Sequence, residues 1–302
     1  MTVHGYRGRF APSPTGPLHF GSLVAAMASY ADARRHDGRW LVRIEDVDGP
    51  RARPRAADAI LAALERYGFE WDGDVWRQSA RTPAYEAALA TLFAERAAYP
   101  CICSRRVLAD GRASAIGERV YAGTCRNGIG DRDVSRAAVR VRVPAQPIAF
   151  VDRVFGEQQQ RLDVDVGDFI VRRSDGLFAY QLVVVVDDGA ERITDVVRGA
   201  DLLASTPRQI LLQRLLRLPT PRYLHVPVAV DARGRKLSKQ TQATALPRTP
   251  LPALLAAWRF LGQPAPPGHV GAVREFWSWA SANWRVSAIP PTSTRSVECP
   301  IV

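Results

Sequence analysis

Apolar positions recur at two different periods along this chain, and the switches between them outline its architecture. Tyr6–Ala11 reads as a short strand that breaks into the loop Pro12-Ser13-Pro14-Thr15-Gly16-Pro17. Gly21–Arg35 then has helical propensity, with an apolar face at Leu23, Ala26, Met27 and Tyr30 spaced three and four apart. Arg39–Ile44 is a strand closed by Glu45-Asp46-Val47-Asp48, and helices follow at about Pro54–Tyr67 and Thr82–Ala98. Strand, helix, strand, helix predicts a parallel sheet with helices on its faces. From Tyr99 to about Arg173 the rhythm is lost. The chain becomes rich in Gly, Arg and Cys, with short alternating strands such as Ala138–Val143.

The helix and strand rhythm returns after that. Phe178–Val186 is strongly apolar, Ile193–Arg198 a strand, Thr206–Leu216 a helix and Tyr223–Val230 a strand running into the loop Arg235–Gln240. The remainder is helix-prone with proline breaks and becomes irregular after Pro290. Four segments result: 1–98 and 174–240 as two halves of one α/β domain, 99–173 as an inserted module, and 241–302 as a short helical C-terminal segment.

Composition narrows the function. No apolar run approaches the roughly 18 residues that a membrane helix needs, and Met1–Phe10 has no apolar signal core. A cytoplasmic protein without a membrane partner is expected. The formal net charge of +11 points to a polyanionic partner, with nucleic acid the first candidate. Four cysteines in such a compartment argue against a disulfide framework. Three of them, Cys101, Cys103 and Cys125, crowd into the inserted module and suggest a metal site.

Two loops carry candidate chemistry. The basic complement of 41 contains only two lysines, Lys236 and Lys239, both in Arg235-Lys236-Leu237-Ser238-Lys239-Gln240. Lysine is a compact, mobile point charge, suited to charge that migrates at a reacting phosphate, whereas arginine is a rigid fork. The second loop, Arg9–Ser22, takes a strand through a proline-stiffened turn into a helix that starts at His19-Phe20-Gly21-Ser22. A helix N-terminus offers unpaired N–H groups and a positive dipole end to phosphates. Glycine at 21 is expected to allow a nucleotide close, and His19 to bond a phosphate oxygen.

These two motifs resemble the His-Ile-Gly-His and Lys-Met-Ser-Lys-Ser signatures of class I aminoacyl-tRNA synthetases. Arg9-Phe10-Ala11-Pro12-Ser13-Pro14-Thr15-Gly16 with Leu18-His19 is similar to glutamyl-tRNA synthetases in particular. Arg43–Asp48, Tyr180 within Leu177–Leu182, Asp187-Asp188 and Val197–Leu203 extend the likeness over about residues 7–246. With 62 residues after the lysine loop, the large helical domain that reads an anticodon is not expected. The insertion is short and carries Cys-x-Cys followed by Tyr121-Ala122-Gly123-Thr124-Cys125. Both features resemble the glutamyl-Q tRNA(Asp) synthetase family.

That resemblance implies a Rossmann-type catalytic domain with a small zinc-containing insertion. It implies tRNA-independent activation of L-glutamate with ATP and Mg²⁺, then transfer of glutamate to queuosine at the wobble position of tRNA(Asp), by a monomer. His19, Lys236 and Lys239 would be catalytic, and His19, Gly21, Ser22 and Lys239 would hold ATP. Arg9, Phe10, Ala11, Pro12, Ser13, Glu45, Tyr180 and Arg198 would form the glutamate pocket. Arginines can grip carboxylates bidentately, and Glu45 offers an anion to the ammonium. One structural zinc would sit on Cys101, Cys103 and Cys125, with Tyr121 as the fourth ligand that the resemblance supplies; on chemistry alone Asp110, Asp131 or water serve equally. Two other readings compete: a truncated conventional glutamyl-tRNA synthetase, and a non-enzymatic zinc-containing RNA-binding paralogue. Trp258, Trp277, Trp279 and Trp284 are expected to pack rather than stack on RNA.

Overall fold

A computed structural model describes residues 5–48, 53, 55–104, 107, 112, 113, 119–237 and 244–297. Its centre is a parallel sheet. Strands β1 (Arg7–Phe10), β2 (Arg39–Ile44) and β3 (Trp76–Arg77) pair in that order, all parallel. On the other side lie β9 (Asp195–Gly199) and β10 (Arg222–Val226), parallel to each other, with β6 (Ile148–Asp152) parallel to β10 and β7 (Gly156–Gln160) closing the edge antiparallel. The two groups meet where the Thr194 N–H donates to the Arg7 carbonyl at 2.9 Å.

Side-chain alternation along these strands divides the core in two. Phe10, Trp40, Val42, Ile44, Val197, Leu224 and Val226 face one cluster, whereas Leu41, Val196 and Tyr223 face the other. The first cluster is covered by α1 (Phe20–Arg35), α2 (Ala56–Arg66) and the C-terminal helices α7 (Pro250–Phe260) and α8 (Val273–Asn283). The second is covered by α3 (Thr82–Ala94), α5 (Tyr180–Ala190) and α6 (Thr206–Leu215), beyond the short α4 (Leu162–Asp165). Leu23, Ala26, Met27 and Tyr30 are buried as the spacing predicts.

The structure refines the predicted elements at three places. The predicted strand Tyr223–Val230 splits into β10 and β11 (Val228–Val230) at Pro227, which has no N–H to give a ladder. The apolar run at Phe178–Val186 becomes helix α5, with Asp187 and Asp188 buried near its end. Helix α3 stops at Ala94, and Ala98–Cys101 forms β4, which pairs antiparallel with β5 (Ala138–Val141), itself paired with β8 (Phe169–Arg172). That small sheet carries the cysteine-rich module, while β6 and β7, from the same 99–173 segment, join the central sheet through β10.

The tryptophans pack. Trp258, Trp277 and Trp284 are buried, with Trp258 edge-on to Phe276 at 5.7 Å and Trp277 against Tyr30 of α1 at 4.7 Å. Beneath them the Asp32 carboxylate accepts from Tyr6, Arg153 and the Trp284 indole.

Candidate active site and candidate metal centre

Strands β1, β9 and β10 end at two pockets that share Phe10, Ser13, Ala25 and Gly199 in their walls. The larger, about 440 Å³, runs along the start of α1, past Thr15, His19, Gly21 and Ser22, to Asp201, Val228 and Lys236. His19 is the N-cap of α1: its backbone is extended and its Nδ1 accepts the Ser22 N–H at 3.4 Å, which aims the ring across the helix start. A side chain at Gly21 would place Cβ 3.2 Å from the His19 ring and 3.3 Å from the Leu237 carbonyl. The close approach that glycine permits is therefore that of the His19 ring and the lysine-loop backbone. Lys236 reaches back over this pocket to Asp201, at 2.5 Å. Lys239 lies outside the described residues, with Ser238 and Gln240.

The smaller pocket, about 320 Å³, is lined by Arg9, Phe10, Ala11, Ser13, Glu45, Tyr180, Arg198 and Leu202. Of the residues expected there, Pro12 lines the larger pocket instead. Period two along β1 and β2 puts Arg9 and Arg43 on the face opposite Phe10 and Val42, toward α5. Arg9 gives its Nε and Nη2 to Asp188 at 3.1 and 3.3 Å, so that edge of the fork is already taken. Arg43, fully buried behind it, bonds Asp188 at 2.7 Å and Glu191. Asp187 in turn accepts from Gln78, Arg81 and Tyr85.

Glu45 is the anion this network leaves least satisfied. Its Oε1 has no hydrogen-bond partner among the described residues and stands 3.6 Å from Arg43. Burial pushes its carboxyl up to about 7 against the pull of Arg43 and Arg9. Burial also works against ionising Asp188, but Arg9 and Arg43 prevail and hold it below the usual carboxylate range. Across the pocket Arg198 is buried among neutral partners: His225 Nε2 at 3.0 Å, Gln209 at 2.8 Å, Thr206 at 2.9 Å and the Leu202 carbonyl at 3.3 Å. One wall thus presents a cation bonded only to neutral partners and the other a carboxylate whose Oε1 lacks a hydrogen bond among the described residues, the complement of a small amino acid with an acidic side chain.

Comparison with known proteins agrees with that geometry. The family model for the catalytic domain of class I tRNA synthetases (E and Q) matches residues 6–249, which span both pockets. A glutamyl-Q tRNA(Asp) synthetase of Thiobacillus denitrificans is 57% identical over 94% of this chain and 94% of its own length. Another, of Geobacter sulfurreducens, is 54% identical over 94% of this chain and 93% of its own. The chain belongs to the glutamyl-Q tRNA(Asp) synthetase family. A glutamate tRNA ligase of Elizabethkingia meningosepticum, crystallised with its amino acid, superposes with a TM-score of 0.81 at 22% identity, over 98% of this chain and 67% of that one. The class I synthetase fold extends through the C-terminal helices as well as the sheet.

The sequence assigns no site role to Arg43, Asp152, Asp201 or His225, yet each supports a pocket residue. Arg43 and Asp201 lie within the motif segments Arg43–Asp48 and Val197–Leu203, and His225 is an ionisable residue inside an apolar strand, whereas Asp152 left no such trace.

In the module, Cys101 ends β4, Cys103 follows two residues later, and Cys125 returns beside them, their sulfurs all within 4.8 Å of one another. Tyr121 Oη lies 3.4 Å from Cys101 Sγ and 3.6 Å from Cys103 Sγ, and Cys103 and Cys125 are 3.6 Å apart. A tetrahedral zinc with three thiolates and one phenolate needs S···S edges of about 3.8 Å and S···O edges of about 3.5 Å. The donor set fits. Asp131 is exposed and Asp110 lies outside the described residues, as does Cys299. Arg140 donates to Cys101 at 3.3 Å and stacks over the Tyr121 ring at 3.8 Å, a cation beside groups that must ionise. Burial opposes the Cys101 thiolate, but the Tyr121 hydroxyl, the Cys103 backbone and Arg140 bring that thiol below its ordinary value.

Proposed function

We propose that this protein activates L-glutamate with ATP and transfers it to queuosine of tRNA(Asp). The observation that carries this is the shared wall of the two pockets, Phe10, Ser13, Ala25 and Gly199, across which a carboxylate and an α-phosphate can meet. In activation, a carboxylate oxygen of glutamate attacks the α-phosphorus, the bond to the β-phosphate breaks, and pyrophosphate leaves with the developing charge. His19 and the first turn of α1, with Gly21 and Ser22, take the phosphates on one side. Lys236 and Lys239 neutralise the departing charge on the other, Lys236 exchanging Asp201 for phosphate. Mg²⁺ accompanies ATP as counter-charge. Transfer then moves the glutamyl group to queuosine and releases AMP.

Within the smaller pocket Glu45 receives the ammonium, and Arg198 the side-chain carboxylate. Arg9 and the backbone from Phe10 to Ser13 bound the reacting end, and Tyr180 forms the remaining wall. The cysteine site holds one structural zinc through Cys101, Cys103, Cys125 and Tyr121. Its contribution is to tie the end of β4 to the Tyr121–Cys125 loop in a module whose own apolar cluster is small. The working form is a cytoplasmic monomer, the state that a sizing column would report.

ATP–pyrophosphate exchange with glutamate, glutamine and aspartate, without RNA, tests the reading. Exchange with glutamate alone is expected. Exchange that waits for tRNA(Glu) would indicate a conventional synthetase instead, and silence in both conditions a non-enzymatic RNA-binding protein. Metal analysis of protein purified without chelators is expected to give one zinc per chain, and none would remove the metal.

A further inference from the structure

Arg198 projects from β9 on the face opposite Val197, and its register partner on β10 is His225. The two side chains therefore lie side by side on the same face of the sheet. His225 is completely buried and spans from Arg198 to Asp152: its Nδ1 is 2.7 Å from Asp152 Oδ2, and its Nε2 is 3.0 Å from Arg198 Nε. The directions of these bonds follow from chemistry. Arginine has only N–H groups to offer, so Nε2 accepts. The proton of a neutral imidazole then sits on Nδ1 and is donated to Asp152. Burial, together with the Arg198 charge, lowers the imidazole's pKa to about 4, which keeps the ring neutral.

Asp152 is itself locked. It sits at the end of β6, and its Oδ1 accepts the Val154 and Phe155 N–H groups at 3.0 Å each and the His225 N–H at 3.4 Å. The far side of the guanidinium is held by Gln209, whose amide is oriented by a bond to Gln181 at 3.0 Å. Four of the five N–H groups of Arg198 are taken in this way. One Nη1 hydrogen remains for a ligand in the pocket that Arg198 lines.

We propose that Asp152 and His225 are positioning residues that fix Arg198 for the side-chain carboxylate of glutamate, Asp152 by setting the imidazole tautomer and His225 by accepting from Nε. The proposal rests on the glutamate reading of the pocket. With every other partner neutral, the guanidinium keeps its full charge for the incoming carboxylate. A carboxylate in place of His225 would cancel that charge, and a protonated imidazole would repel it.

The isosteric variant Asp152→Asn isolates the idea. It keeps Oδ1 for the backbone N–H groups but turns the atom facing His225 into a donor. The imidazole proton is then forced onto Nε2, where it meets the Arg198 Nε–H. Loss of uniform binding raises KM with kcat little changed. In ATP–pyrophosphate exchange, D152N is expected to raise KM for glutamate by about tenfold or more, with kcat within about threefold and KM for ATP unchanged. His225→Phe, which keeps the ring and removes the acceptor, should show the same split. KM for glutamate within twofold of the parent in folded D152N overturns the proposal. So does a joint rise in KM for glutamate and ATP with a lowered melting temperature, which marks a packing role only. Parental protein that gives no glutamate-dependent exchange sinks the functional reading itself, a result that these variants do not produce.

Discussion

Glu45 carries a carboxylate into a pocket where its Oε1 has no hydrogen-bond partner among the described residues, and burial raises its pKa to about 7. An ammonium arriving there would supply the missing partner. Because the ionised form is the one that binds, KM for glutamate is expected to fall as pH rises through about 7 and to level off above it. Glu45→Gln should flatten that profile and weaken glutamate by about tenfold or more at pH 8. The stability sign is opposite. A carboxyl whose folded pKa exceeds its unfolded value contributes stability at low pH that is lost as pH rises toward 7. E45Q without ligand should therefore melt at or above the parental temperature at pH 8, and a lower temperature would contradict the burial argument. In the lysine loop, Lys239→Ala and Lys236→Ala should each lower the exchange rate by about tenfold or more while leaving the melting curve in place. Unchanged kinetics in either variant would remove that lysine from the mechanism.

At the scale of elements, the cysteine module shows how a turn can be dictated by the backbone that packs against it. Gly167 has φ of +71°, and a Cβ there would fall 2.6 Å from the Tyr121 carbonyl oxygen and 2.7 Å from its nitrogen. Gly167→Ala is expected to displace Tyr121 and speed zinc release to a chelator by about tenfold, with RNA-free glutamate activation retained. Equal release rates would separate Tyr121 from the metal. The same scale shows what pattern reading captures. Strands β1, β2, β9 and β10 were legible from short apolar runs, and α1 from the three–four spacing of Leu23, Ala26, Met27 and Tyr30. The splitting of Tyr223–Val230 at Pro227 could have been read from the proline alone. The pairing of β6 with β10 could not, because it joins segments about seventy residues apart whose local patterns contain no record of each other.

Across the whole molecule, α1 connects the pockets to the C-terminal segment. Its start carries His19 and Gly21, and its body packs on α7 and α8 through Tyr30, Trp277 and Trp258. The Trp284 indole reaches Asp32 near its end. The C-terminal helices thus complete the core of the catalytic sheet. Trp258→Ala is expected to cost about 3–5 kcal/mol and to lower the denaturant midpoint seen by both fluorescence and activity. A transition that leaves activity behind while fluorescence changes would show the segment to be an independent unit.

What the sequence by itself determined was which residues to propose for the site: the helix start at His19, the two lysines, Arg9, Glu45, Tyr180 and Arg198, with Cys101, Cys103, Tyr121 and Cys125 as the proposed metal ligands. Those proposals come from the resemblance of short motifs, which depends on residue type and local spacing. Tertiary structure alone decided the surroundings in which those residues stand. Arg9 has an edge closed by Asp188, Glu45 Oε1 lacks a hydrogen-bond partner among the described residues, and Arg198 is gripped by His225, Gln209 and Thr206. The physical reason is that charge, tautomer and orientation are set by burial and by partners on other strands. Those partners become neighbours only when the sheet has formed.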